Sequence, residues 1–207
     1  MGFKASHSFG ASSQVGARTF ATAHALSEIY PLLRFVVQMS EPPESLNQPN
    51  DRITVERRLP GALQCTHGAA IYALAVPSPS PVVARPLLQP RIQAELEAHI
   101  GVLSSNPSSR MVLTARLLSP PAMNDAQAAA KARLHDLSLL QLSNDRELEI
   151  SEMKSLVESV GNSDGRLVVV NELRSPNSAT VAFEVRWQTQ LPGQADNLWS
   201  APLVAQD

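Results

Sequence analysis

Eight consecutive apolar residues, Ala69-Ala70-Ile71-Tyr72-Ala73-Leu74-Ala75-Val76, run straight into Pro77-Ser78-Pro79-Ser80-Pro81. A run without polar alternation predicts a strand buried on both faces, as in the centre of a parallel α/β sheet. In open α/β sheets the chemistry lies just beyond the C-terminal ends of the strands. At that position this chain places prolines and serines, with no His, Asp, Glu, Cys or Lys. The scaffold is of an enzyme type, and its chemical edge reads as blank.

The rest of the chain alternates strand and helix around this run. Residues 1–14 are rich in Ser and Gly and read as a frayed N-terminus, a degraded first strand. A helical pattern opens at Val15-Gly16-Ala17, with Phe20, Ala23, Leu26 and Ile29 on one apolar face, and Tyr30-Pro31 ends it. Leu33–Val37 reads as a buried strand and Arg52–Arg58 as a half-exposed one near a sheet edge. Leu88–Leu103 predicts a single helix with Pro90 in its first turn; Ile92, Leu96, Ile100 and Leu103 face inward, with Glu95, Glu97 and His99 elsewhere. Arg110–Leu118 is the next strand, and Asp125–Leu142 the next helix. Ser151–Val160 is a short helix with a Ser N-cap and Gly161 as its stop. Arg166–Leu173 and Thr180–Gln188 flank the turn sequence Ser175-Pro176-Asn177-Ser178, so they predict an antiparallel hairpin. Residues 191–207 read as a flexible tail. The domain expected is therefore 15–190, a doubly covered parallel sheet with a terminal hairpin.

Composition narrows the function classes. The 207 residues carry a formal net charge of −2, with 43% hydrophobic and 17% charged residues. There is no clustered basic face of the kind that binds nucleic acid directly. Cys65 is the one cysteine, which excludes an internal disulfide and a cysteine-based metal site. No apolar run approaches the ~20 residues that span a bilayer, and Met1–Ser8 has no apolar signal region.

The order of elements resembles class I S-adenosylmethionine-dependent methyltransferases, a Rossmann-like fold. In detail it is similar to the fungal O-methyltransferases, through Tyr30–Gln38 and through Asp136–Asn144 with Glu147. Longer strings resemble the methyltransferase-like transcriptional co-activators of aflatoxin- and sterigmatocystin-type polyketide clusters. They are Arg34–Met39, Pro77–Val82, Leu113–Leu118, Gly165–Asn171, Leu173–Pro176 and Thr180–Val185. The resemblance runs from about Val15 to Gln188 and corresponds to the cofactor-binding, C-terminal half of such an enzyme. It implies a co-activator that acts with a zinc-cluster transcription factor in the nucleus, with the cytoplasm as a second compartment. Nothing in the sequence sets an oligomeric state.

Against the enzymes, three positions are degenerate. The glycine-rich first loop is reduced to Gly16 followed by Ala17-Arg18-Thr19-Phe20, where close backbone approach to a ligand wants several glycines. The acid expected at the end of the second strand, which would accept the ribose hydroxyls, is Met39; Glu41 is the nearest substitute. The family's base, a His after the fourth strand, is replaced by Val76-Pro77-Ser78. Glu147 matches a family glutamate but alone cannot deprotonate and orient a phenol. The expectation is no catalytic residue, no bound cofactor and no metal. The alternative is an O-methyltransferase, or a repurposed pseudo-methyltransferase pocket, acting on a polyketide intermediate.

The remaining chemistry-bearing residues read as structural. His7, His24, His67, His99 and His135 share no element and no i,i+4 pairing, so surface or helix-face roles are expected. Ser78 and Ser80, each before a proline, read first as part of a stiff loop and second as sites for proline-directed kinases. Cys65 and His67 are too close in sequence to face each other. Arg57-Arg58 is too short for a localisation signal, and Glu95 with Glu97 reads as a solvated helix face.

Overall fold

The structure is a computed structural model that describes residues 11–15, 21–42, 51–77, 79, 85–118, 126–174 and 180–190. Its centre, among the described residues, is a sheet of eight strands. These are β1 (Ala11–Val15), β2 (Arg34–Met39), β3 (Ile53–Arg57), β4 (Ala69–Ala75), β5 (Arg110–Arg116), β6 (Gly161–Asn162), β7 (Gly165–Arg174) and β8 (Thr180–Thr189). Among the described residues five helices flank it: α1 (Ala21–Ile29), α2 (Arg85–Glu97), α3 (Ile100–Ser105), α4 (Ala126–Ser143) and α5 (Ile150–Glu158).

The strand order is β3-β2-β1-β4-β5-β8-β7-β6. From β3 to β5 the neighbours are parallel, and β8, β7 and β6 are added antiparallel. This is the parallel sheet with a terminal hairpin that the βα alternation predicts. β1 pairs with both β2 and β4, so the Ser-rich segment Ala11–Val15 is a central strand, joining residues expected to fray to the first residue expected to be helical. Gly16 through Phe20 lie outside the described residues.

Two apolar clusters hold the sheet. The larger joins β4, β5, β7 and β8 to α2, α3 and α5 through Tyr72, Leu88, Leu96, Leu113, Met153 and Phe183. The smaller is Ala23, Phe35, Val37, Met39 and Ile53 beneath α1.

Several local expectations change. β4 is only partly covered: Ala69, Tyr72 and Leu74 are buried, whereas Ile71 is 39% exposed and Ala70 and Ala75 are exposed. Four of the seven β4 residues are alanines, which suit either environment, so the unbroken apolar run overstated burial. In α1, Ala23 and Ser27 are buried while Leu26 and Ile29 are not. The small residues face β2 and β3, where the backbones approach closely.

The segment 88–103 is two helices, not one. His99 N–H bonds Leu96 O, which tightens the turn, and α3 restarts at Ile100. α2 begins at Arg85, so Pro86 takes the first turn and exposed Pro90 sits in the interior. α5 is capped by Glu149, not Ser151. Glu149 N–H donates to the Glu152 carboxylate at 2.9 Å, and the Glu149 side chain returns a bond to the first turn. The expected turn at Ser175–Ser178 lies outside the described residues.

Candidate functional site

The C-terminal edge of the parallel strands is formed by the ends of β1, β2, β4 and β5. At the end of β2, Met39 is 6% exposed and packs among Ala23, Phe35, Val37 and Ile53. The side chain expected to stand in the place of a ribose-binding acid is part of the apolar core. Glu41, two residues on, is exposed. Beyond β4, Val76 packs against the larger cluster and its N–H donates to Thr114 O at 2.8 Å. Pro77 is exposed and Pro79 is buried; Ser78 and Ser80 are outside the described residues, as is Gly16.

One titratable cluster does stand near this edge. The isolated bridge between Leu118 and Glu149 ties the segment 144–149 to the continuation of β5. Within that segment the Glu147 side chain is only 1% exposed. Its N–H donates to Asp136 Oδ1 at 2.8 Å, and its Oε1 lies 2.8 Å from His135 Nδ1. The two atoms are within reach of each other but not aligned, and neither Glu147 oxygen has a hydrogen-bond partner among the described residues. Burial pushes the Glu147 carboxyl up to about 7; the Arg116 charge opposes this, and Asp136 and Asp145 add to it. Glu147 is the residue that the resemblance matches to a family glutamate. His135, expected on a helix face, is brought to it by α4, and nothing local in the sequence announces the pair.

A second polar network lies between the sheet and α2. The crossover from β3 to β4 contains no helix and is pinned by side chains. Gln38, buried on β2, donates to Gln64 at 2.9 Å and Thr66 at 3.0 Å, and Gln64 donates back at 2.8 Å. Gln64 Nε2 also lies 3.3 Å from His99 Nε2, while His99 Nδ1 lies 2.7 Å from Glu95 O. A carbonyl only accepts, so Nδ1 carries the ring hydrogen and Nε2 accepts from Gln64. Burial holds the His99 ring below its ordinary range, which keeps it neutral. Arg58 and Glu95 form a buried ion pair, and Gly61 N–H donates to Glu95 Oε2 at 2.6 Å.

These contacts correct two sequence expectations. His99 is fully buried, not on an outer helix face, and Glu95 is 9% exposed, not solvated. Glu97 is exposed, as expected, and accepts from Gln93. Apart from Arg58 Nε, the buried side-chain donors and acceptors of this network are satisfied within the protein. That is the mark of a structural bracket rather than a site awaiting a ligand.

An open groove of about 360 Å³ is lined by Pro86, Gln89, Leu140, Asn144, Asp145 and Arg146. It is mixed in polarity, not the apolar pocket that would enclose a flat polyketide. Among the described residues no group of three or more His, Cys, Asp or Glu is placed to hold a metal ion. No described helix is long and apolar enough to cross a membrane.

No protein-family model matches the chain. It is 46% identical over 136 residues to the monodictyphenone cluster transcriptional coactivator of Emericella nidulans, covering 66% of this chain and 28% of that protein. It is 41% identical over 188 residues to the agnestins biosynthesis cluster transcriptional coactivator of Paecilomyces divaricatus, covering 85% and 42%. The geodin cluster transcriptional coactivator of Aspergillus terreus is 36% identical over 193 residues, with 84% and 49% covered. The chain thus spans half or less of the length of these curated relatives. Among solved structures, the mitomycin 7-O-methyltransferase superposes with a TM-score of 0.65 at 20% identity, over 86% of this chain and 49% of the enzyme. A second, described as a pericyclic reaction enzyme, gives 0.61 at 15%, over 91% and 45%. The fold is that of the class I methyltransferases, and the sequence is homologous to proteins named as coactivators of fungal secondary-metabolite clusters.

Proposed function

We propose that this chain is a non-catalytic, methyltransferase-like transcriptional coactivator that works in the nucleus with a zinc-cluster transcription factor to switch on a fungal polyketide gene cluster. Two observations together support the reading. The sequence is 36–46% identical to proteins named as cluster coactivators. At the same time, Met39, the residue that the resemblance sets at the place of the ribose acid, is packed into the core. A buried thioether cannot accept two hydroxyl hydrogen bonds, so the strongest polar anchor of a nucleoside is gone. Gly16 and Met39 are in this reading the remnants of a cofactor site, with no catalytic residue, cofactor or metal retained.

Two measurements on the same preparation test it. Calorimetric titration with S-adenosylmethionine is expected to show no binding in the micromolar range. A pull-down from fungal extract is expected to retain the cluster's zinc-cluster transcription factor. Micromolar cofactor binding, or a clean failure to retain the factor, would overturn the reading.

A second reading, an O-methyltransferase or a pocket reused on a polyketide intermediate, draws on Glu147. A buried carboxyl beside an imidazole at the sheet's chemical edge is the kind of group that moves protons. Methyl transfer from labelled S-adenosylmethionine to a panel of phenolic polyketides would favour it, and loss of that transfer in Glu147→Gln would assign it.

A further inference from the structure

β3 is the last strand of the sheet on its parallel side, and among the described residues no strand pairs with its outer edge. The ladder to β2 fixes which backbone groups face outward. Phe35 N–H donates to Arg52 O at 2.8 Å, and Arg58 N–H donates to Met39 O at 2.9 Å. Successive residues of a strand turn their N–H and C=O to opposite sides. The backbone groups of Arg52, Thr54 and Glu56 therefore turn to β2, and those of Ile53, Val55 and Arg57 turn outward. An open edge of this kind is a template for a further strand, and its charges select which one.

Two copies that meet through one and the same edge are related by a two-fold axis, so their β3 strands run antiparallel. Outward groups must also meet outward groups, so the axis passes beside a residue and not between two. Centred on Thr54, Ile53 of each copy opposes Val55 of the other, and Arg52 of each opposes Glu56 of the other. One step further out, exposed Asp51 opposes exposed Arg57. Centring on Ile53 or Val55 joins no opposite charges, and centring on Glu56 sets the two Glu56 carboxylates against each other. Unlike charges directly opposed across two strands stabilise the pair, and like charges disfavour it. Gln38 and Thr66 already hold Glu56 through Oε2, at 3.2 and 3.4 Å.

We propose that the outer edge of β3 pairs antiparallel with the β3 edge of a second copy of this chain, centred on Thr54, with Arg52 and Glu56 forming ion pairs across the two-fold axis. The pairing leaves the β2–β3 ladder intact, because it uses the groups of Ile53, Val55 and Arg57 that face away from it. With five residues on each side the contact is short, which places it among the small, reversible interfaces. The same charges turn away strands of another pattern, so the edge is blunted against indiscriminate pairing and open to its own copy.

Sedimentation velocity of the full chain over a concentration series tests the pairing. The wild-type chain is expected to pass from monomer to dimer by about 100 µM, in keeping with a small interface. Arg52→Glu and Glu56→Arg each set like charges across the axis, and each is expected to stay monomeric at that concentration. Mixed in equal amounts, the two variants offer each other opposite charges at both positions, so the mixture is expected to dimerise again. A substitution at exposed Thr54 reads the register without touching either charge. Thr54→Cys in a Cys65→Ser chain sets two thiols opposite each other with Cα atoms about 4.5 Å apart, within disulfide reach. That chain is expected to form a covalent dimer under mild oxidation, which keeps the proposal testable should a charge variant not fold. A wild-type chain still monomeric at about 100 µM, single charge variants as dimeric as the wild type, a mixture no more dimeric than its components, or a Thr54→Cys chain that does not cross-link would overturn it.

Discussion

Arg58 at the end of β3 and Glu95 on α2 form a buried ion pair that closes the long β3–β4 crossover onto the helix. Glu95 is the hub: it pairs with Arg58, accepts from Gly61 N–H, and its own carbonyl meets the His99 ring. Removing one partner of such a pair strands the other charge, which costs roughly 3–5 kcal/mol. Glu95→Ala is therefore expected to lower the chemical-denaturation midpoint sharply. Arg58→Met with Glu95→Leu should recover much of the loss, because no unpaired charge remains. Equal losses in the single and double variants would show that the pair has no such coupling.

Gly165 opens β7 where β6, β7 and β8 meet. A Cβ there would collide with Gln188 O and come within 2.8 Å of the Trp187 ring. Backbone and an aromatic ring cannot both yield cheaply. Gly165→Ala is expected to destabilise the chain by about 1–3 kcal/mol through overpacking, read as a shift in thermal midpoint. Gly101, where a Cβ meets nothing within 4 Å, is the control at which alanine should be harmless or better.

What was legible in the sequence follows from what local pattern can carry. The apolar runs at Arg34–Met39 and Arg110–Arg116 name their strands because burial of a strand needs consecutive apolar residues. The terminal hairpin is announced by its turn residues. The long polar brackets are a different matter: Gln38 meets Gln64 and Arg58 meets Glu95 across 26 and 37 residues of chain. No window of sequence contains both members, so Glu95 and His99 read as solvated until α2 and the crossover were placed side by side. Met39 was the reverse case. Its significance came from resemblance, and the structure adds why it is at ease there, inside an apolar cluster.

On the hairpin's outer part, Glu172 links β7 to α5 through Lys154, 2.8 Å away, and is also bound by Arg174. Partial burial works against its charge, but the hydrogen bonds from Lys154 and Arg174 prevail and hold the carboxyl below its ordinary range. A lowered folded value means the contribution is present above the usual carboxylate range and is lost as pH falls through the folded value. Lys154→Met is expected to cost about 0.5–1 kcal/mol at neutral pH and to flatten the acid limb of the stability curve. An acid limb unchanged from wild type would mean Arg174 alone sets the Glu172 carboxyl.

On the proposed reading, an acid in place of Met39 tests whether a cofactor site is one substitution from function. Met39→Asp would put a carboxylate among Ala23, Phe35, Val37 and Ile53, and the cation beside it, Arg57, its register partner on β3, is exposed to solvent. Burying an unpaired charge destabilises by about 3 kcal/mol or more unless the group stays protonated. The expected result is a markedly lower thermal midpoint, more so at pH 8 than at pH 5, and no gain of S-adenosylmethionine binding by calorimetry. The pH sense follows because the apolar cluster tolerates the introduced carboxyl in its protonated form and not in its ionised form. Should Met39→Asp keep wild-type stability and bind S-adenosylmethionine, the β2 end would be a cofactor cradle with one altered side chain, and the non-catalytic reading would fall with it.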